Sequence, residues 1–215
     1  MAKPQVVRLI NETGVIPVVR APTSDETIRA IDAIREGGIS LVEITMTVPG
    51  AMRLLEQLSG HYGKEVVIGA GAVLNAETAR VSILSGAQFI ASPSFNHDTI
   101  AACRRAGVAV IPGALTPSEV VQASHAGADF VKVFPANAVG GATYIKALKG
   151  LLPHIPLVPT GGVSLINAAD FIRSGASALG VGTDLFNIQA IHEGQPALIT
   201  ERAKRFLELV RNARH

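Results

Sequence analysis

Eight short apolar runs alternate with amphipathic segments along almost the whole chain, and this alternation limits the possible folds more than any other feature. The runs are VIPVVR (15–20), LVEITM (41–46), EVVIGA (65–70), QFIAS (88–92), VAVIPG (108–113), DFVKVFP (129–135), PLVPTGG (156–162) and ALGVGT (178–183). All are of strand length, and each of the first seven precedes a segment with helical spacing. In SDETIRAIDAIREGG, for example, Ile28, Ile31 and Ile34 form one apolar stripe that closes at Gly37-Gly38. The eighth run leads towards a last helix near ALITERAKRFLELVRNAR. Strand followed by helix, repeated, requires right-handed crossovers and a parallel sheet. The strand starts recur about every 23 residues, close to one compact βα unit. The prediction is an α/β fold of the (β/α)8 TIM barrel type, for which 215 residues is at the short end. An open doubly wound sheet is the alternative, but the first βα turn lacks the glycine fingerprint of a dinucleotide fold. The segment around Gln5 to Asn11 reads as an extra N-terminal helix over the barrel floor.

No linker, low-complexity stretch or charge block interrupts the pattern, so residues 1–215 read as one domain. A 48% hydrophobic and 17% charged composition suits a parallel sheet covered on both faces. With 19 basic against 17 acidic side chains and no long basic run, nothing marks a nucleic acid or an anionic membrane as partner. No stretch approaches the roughly 20 apolar residues of a membrane span. The opening MAKPQVVRLINETG has no apolar region of signal-peptide length. Cys103, the single cysteine, has neither a disulfide partner nor a histidine at ligand spacing, so no metal or other cofactor is expected and a reducing cytoplasm fits.

One lysine breaks the rule that charge stays outside the apolar runs. Lys132 stands between Val131 and Val133, with Phe130 and Phe134 two residues away. The other five lysines lie in polar, helical or turn-like surroundings. A lysine so placed either snorkels to water or is a chemical amine in an apolar pocket. In LVEITM, the period of two puts Glu43 and Thr45 on one face. The second and sixth runs are both even-numbered, and alternate strands of a barrel share interior layers, so Glu43 and Lys132 can meet. A buried ion pair is often no more stable than an apolar substitute, which makes function the better reason for keeping one. An amine beside a proton-transferring carboxylate, without a metal motif, suits Schiff-base chemistry on a ketone.

The seventh and eighth runs end in PTGGVS and GVGTD, where barrels frequently hold phosphate. Gly161, Gly162 and Gly182 allow close backbone approach, and Thr160 and Thr183 add hydroxyls. Arg20 closes the first run and is expected to project at the mouth towards a carboxylate. Pro93, in ASPSFN, stiffens the mouth after the fourth run. His97 and the other histidines show no pairing with a nucleophile.

Together GGISLVEITMTVPGA, VIGAGAVLNAE, FIASPSFN, VIPGALTPSE, VKVFPANAVGGATYIKALKG, PTGGVS and GVGTDLF resemble the class I bacterial aldolases of 2-keto-3-deoxy-6-phosphogluconate (KDPG) and 4-hydroxy-2-oxoglutarate (KHG). The likeness runs from about Gly14 to Phe186. It implies a (β/α)8 barrel, a homotrimer and a small keto-acid substrate, and the intact PTGGVS and GVGTD ends favour a phosphorylated one. It also implies that Lys132 forms the imine with pyruvate, that Glu43 is the acid/base, and that Pro93 and Phe134 pack around the pyruvate. Gly161, Gly162 and Thr183 match the phosphate positions. Two positions depart from the family pattern. Thr47 stands where many members carry an arginine for the substrate carboxylate, and Ala72 stands where many carry a threonine near the pyruvate. Other members have an arginine ending strand one, which Arg20 matches, so Arg20 is expected to supply the charge that Thr47 lacks. A phosphate-binding barrel isomerase and a non-catalytic binding protein are the competing readings, and the substrate could be of the gluconate, galactonate or oxoglutarate type.

Overall fold

The computed structural model describes residues 1–214, and His215 lies outside the described residues. A first helix, α1 (Lys3–Thr13), precedes the first strand. It ends at Gly14, whose φ of 68° is the left-handed turn that lets the chain pass directly into β1 (Val15–Val19). Then come α2 (Ser24–Glu36), β2 (Leu41–Thr45), α3 (Ala51–Tyr62), β3 (Val67–Gly71), α4 (Ala76–Leu84), β4 (Phe89–Ala91) and α5 (His97–Arg105). The fifth apolar run, expected as a single strand, is two: β5 (Ala109–Ile111) and β6 (Gly113–Ala114) flank Pro112, which has no N–H to give a ladder. They are followed by α6 (Pro117–His125), β7 (Val131–Val133), α7 (Ala142–Leu151), β8 (Leu157–Pro159), α8 (Ala168–Arg173), β9 (Leu179–Val181), α9 (Ile188–His192) and α10 (Ala197–Arg214). A short 3-10 turn, Ala136–Val139, links β7 to α7.

All strand pairs are parallel. Six form a curled sheet, a half-barrel in the order β5-β4-β3-β2-β1-β9, and three form a second sheet, β6-β7-β8. A lone parallel bridge joins Thr160 to Gly180 between β8 and β9. On the other side the Asp129 N–H donates to Val110 O at 3.0 Å and the Lys132 N–H to Pro112 O at 2.8 Å. The strands are buried on both faces, as the continuous apolar runs require. Helix starts carry their own stops. Thr23 and Glu26 form a reciprocal capping box on α2, and Thr116 and Glu119 do the same on α6. At the amino-terminal end of the strands, α1 packs on β1 and β5, and Lys3 pairs with Asp129 at 2.9 Å.

Candidate active site

Glu43 lies in the middle of β2 and Lys132 in the middle of β7. Ladder registers fix their faces. Glu43 is opposite Val18 on one side and Gly69 on the other, and Lys132 is opposite Gly113 and Val158. Their side chains leave these positions on the inner face, where the curl of the sheets brings them together. Lys132 Nζ donates to Glu43 Oε1 at 3.1 Å and to Oε2 at 3.2 Å. Glu43 is 2% exposed and Lys132 6%. Neither charged group has another hydrogen-bond partner among the described residues. Burial costs such a pair most of its Coulomb gain, so a single contact does not explain it as a stabilising device. As an acid/base and nucleophile within one hydrogen bond of each other, it has the geometry that imine chemistry needs.

Around the pair, glycines hold open the space that side chains fill elsewhere. A Cβ at Gly113, next to Lys132, would lie 2.2 Å from the carbonyl of Pro93, so the loop after β4 rests directly on β6. Phe134, 39% exposed at the end of β7, lays its ring over Gly161, where a Cβ would be 3.3 Å away. Gly162 abuts Asn137 in the turn after β7, and Gly180 abuts Thr160 Oγ1. Thr160 is buried, while Thr47 is exposed at the end of β2 and shares a 3.0 Å hydrogen bond with Thr45. Ala72 is the one non-glycine residue with a left-handed backbone among the described residues (φ 57°), and it directly follows β3. That conformation costs an alanine about 1 kcal/mol or more.

A cavity of about 340 Å3 opens between the ends of β1 and β9, lined by Val18, Arg20, Gly182, Thr183, Phe186 and neighbouring residues, with neither Glu43 nor Lys132 in its lining. It lies one strand away from Glu43, whose ladder partner on β1 is Val18. Arg20 is exposed, and no carboxylate of the described residues lies within ion-pair distance of it. After β8 and β9, the backbone N–H groups of Gly161, Gly162, Val163 and Thr183 have no acceptor among the described residues, whereas Ser164 N–H donates to Asn167 and Leu165 N–H to Asp184. Asp184 thereby ties the two loops together, with Arg202 on its other side. Of these amides that of Thr183 shares the cavity with Arg20, and free amides suit an anion.

The structure thus gathers Glu43, Lys132 and their glycine surroundings, and groups Arg20 with Gly182 and Thr183 in one cavity. It leaves Thr47 at the rim, outside that cavity. Sequence reasoning passed over Gly71, Asn137, Phe186 and Asp184. For Gly71 a signal was present, since alternate glycines in VIGAG mark a strand approached closely from one face. Among the described residues no three His, Cys, Asp or Glu side chains are placed to hold a metal, and no helix is long and apolar enough to cross a membrane.

A family model described as KDPG and KHG aldolase matches residues 6–202. The chain is similar to the 2-dehydro-3-deoxy-6-phosphogalactonate aldolase of Escherichia coli, with 35% identity over 80% of this chain and 83% of that one. It is also similar to the 2-dehydro-3-deoxy-phosphogluconate aldolase of Treponema pallidum, with 30% identity over 95% and 97%. Among solved structures, the KDPG aldolase of Legionella pneumophila, with pyruvate captured as a covalent carbinolamine, superposes with a TM-score of 0.86 at 29% identity, covering 92% of this chain and 96% of that one.

Proposed function

The chain belongs to the KDPG and KHG aldolase family, and from that premise we propose that it is a class I aldolase with Lys132 as nucleophile and Glu43 as acid/base. The observation that carries this reading is the buried contact of 3.1 Å between the two head groups. The favoured reaction is reversible cleavage of KDPG to pyruvate and glyceraldehyde 3-phosphate. Glu43 is the nearest base to take a proton from the Lys132 ammonium, and the freed amine adds to the C2 ketone. Glu43 returns that proton to the carbinolamine hydroxyl, which leaves as water and gives a protonated imine. Glu43 then removes the C4 hydroxyl proton, the electrons of the C3–C4 bond pass into the imine, and the aldehyde departs. The enamine takes the proton back at C3, and water releases pyruvate and the amine.

Arg20 holds the substrate carboxylate in place of the arginine that Thr47 lacks, and Pro93, Phe134 and the backbone at Ala72 border the pyruvate. The free amides of Gly161, Gly162 and Thr183, with Gly182 and the Thr160 hydroxyl near them, take the phosphate. Support for a closed (β/α)8 barrel comes from the two edges where the sheets meet, the Thr160–Gly180 bridge and the bonds from Asp129 and Lys132 to Val110 and Pro112. In that reading α1 covers the floor, residues 1–215 are one domain, and the enzyme is a cytoplasmic homotrimer. Mass determination in solution tests the last point.

Pyruvate with borohydride should leave one reduced adduct, on Lys132, and stop activity. No adduct, an adduct on Lys146 or Lys149, or activity retained after trapping would overturn the mechanism in favour of an isomerase or a binding protein. A second substrate, the galactonate epimer, is favoured by the 35% identity to the Escherichia coli enzyme. Comparison of kcat/KM for both epimers and for KHG decides among them, and equal values for KHG would remove the case for a phosphate site.

A further inference from the structure

Glu43 and Gly71 are not ladder partners, since Glu43 is opposite Gly69 and Gly71 is opposite Thr45. Strand side chains lean along the strand, and Glu43 leans two ladder positions towards the carboxyl end of the sheet, into the place where a side chain on residue 71 would begin. An ideal Cβ at Gly71 would lie 1.9 Å from Glu43 Oε1, 2.4 Å from Cδ and 2.5 Å from Cγ. Three successive atoms are in conflict, so a small turn of the carboxylate does not clear it. The backbone at Gly71 is not in the left-handed region, so alanine meets no backbone strain there. The three nearest atoms to that position all belong to the glutamate. Gly69 is different, because a Cβ there would strike the ring of Phe89 in the core.

We infer that Gly71 is a positioning residue for the reaction: its missing side chain is the berth that holds the Glu43 carboxylate under Lys132 Nζ. With residue 71 enlarged, the carboxylate must leave the orientation in which both oxygens face the amine. The inference rests on the proposed role of Glu43, and its test separates the two.

The experiment is a cycle of Gly71→Ala, Glu43→Gln and the double variant, with Tm, kcat, KM and the pH dependence of kcat measured for each. Gly71→Ala should lower kcat by roughly 10² or more, the scale of a lost proton-transfer group, with KM changed little and the limb of the pH profile that Glu43→Gln removes displaced. The double variant should be no slower than Glu43→Gln alone, because both changes remove the same contribution. A Gly71→Ala enzyme with the parent kcat and pH profile, or losses that add, would overturn the inference. Stability gives an independent reading should Gly71→Ala fold poorly. Overpacking should lower Tm by roughly 2–10 °C in the parent, and Gly71→Ala should cause no such drop in a Glu43→Ala background. An equal drop in both backgrounds would show that Glu43 is not what residue 71 accommodates. If instead the Tm coupling holds while Glu43→Gln leaves kcat unchanged, the positioning stands and the catalytic role of Glu43 fails.

Discussion

The two ends of the strands each carry a lysine–carboxylate pair, in opposite circumstances. At the amino-terminal end, Lys3 meets Asp129 at 2.9 Å, and the second oxygen of Asp129 accepts the Val110 N–H at 2.9 Å. At the inner face nearer the mouth, Lys132 meets Glu43 at 3.1 Å, deeper in the protein and with no backbone donor on the carboxylate. The lower carboxylate is a joint that fastens α1 to the start of β7 and satisfies an amide of β5. Its upper counterpart has lost water and gained one partner, among glycines and one strand away from an open cavity. A charge whose bonding capacity is filled by backbone fits a role in the fold, and one left with spare capacity fits the proposed chemistry.

The largest expected effect tests that distinction directly. Lys132→Ala should abolish cleavage and the borohydride adduct, while Lys3→Ala should retain full kcat and lose no more than about 1 kcal/mol in urea unfolding, as partly exposed pairs do. Comparable activity losses at the two lysines would erase the contrast. Next come the proposed anion contacts at the carboxyl ends of the strands. Arg20→Ala should cut kcat/KM roughly 10- to 100-fold for both KDPG and KHG, and Thr183→Val should do so by less and for the phosphorylated substrate alone. A Thr183→Val enzyme equally impaired with KHG would move that hydroxyl away from the phosphate.

At the floor, Asp129→Ala should cost about 1–3 kcal/mol, the penalty of leaving the Val110 N–H without its acceptor, and leave kcat intact. An activity defect there without a stability defect would contradict the structural role. The smallest effect concerns a carboxylate at the other end that the same criterion makes structural. Glu119 accepts the Leu115 N–H at 2.8 Å and the Thr116 N–H at 2.7 Å, and these backbone bonds, Thr116 first, hold its carboxyl below the usual range. A lowered folded value means stability that is fully present above the unfolded pKa, about 4.3, and fades as pH falls through the folded one. Glu119→Gln should therefore flatten the acid limb of Tm below about pH 4.3 without changing kcat at neutral pH. An unchanged acid limb would show that the cap does not contribute.

Much of this was legible along the chain, for reasons local to each residue. Strand and helix periodicities are set by neighbours two to four positions away, so all eight apolar runs became strands, and ALITERAKRFLELVRNAR became α10. Lys132 and Glu43 stood out because an isolated charge in a buried run conflicts with its surroundings. Pro112 was visible in VAVIPG, but its division of that strand depends on which neighbour needs the missing N–H. Thr160 and Gly180 are 20 positions apart, and nothing local announces that one fills the space the other leaves.

By itself, then, the sequence determined the alternation of elements, the faces on which Glu43 and Lys132 lie, and the chemical types gathered at the strand ends. Only the tertiary structure decided that the two charges stand 3.1 Å apart, that Arg20 shares a cavity with Thr183 while Thr47 does not, and that the room at Gly71 is taken by Glu43. Periodicity specifies a direction for each side chain, but the distance between side chains on different strands follows from the register, curl and lean of the sheet, and these are fixed by packing over the whole molecule.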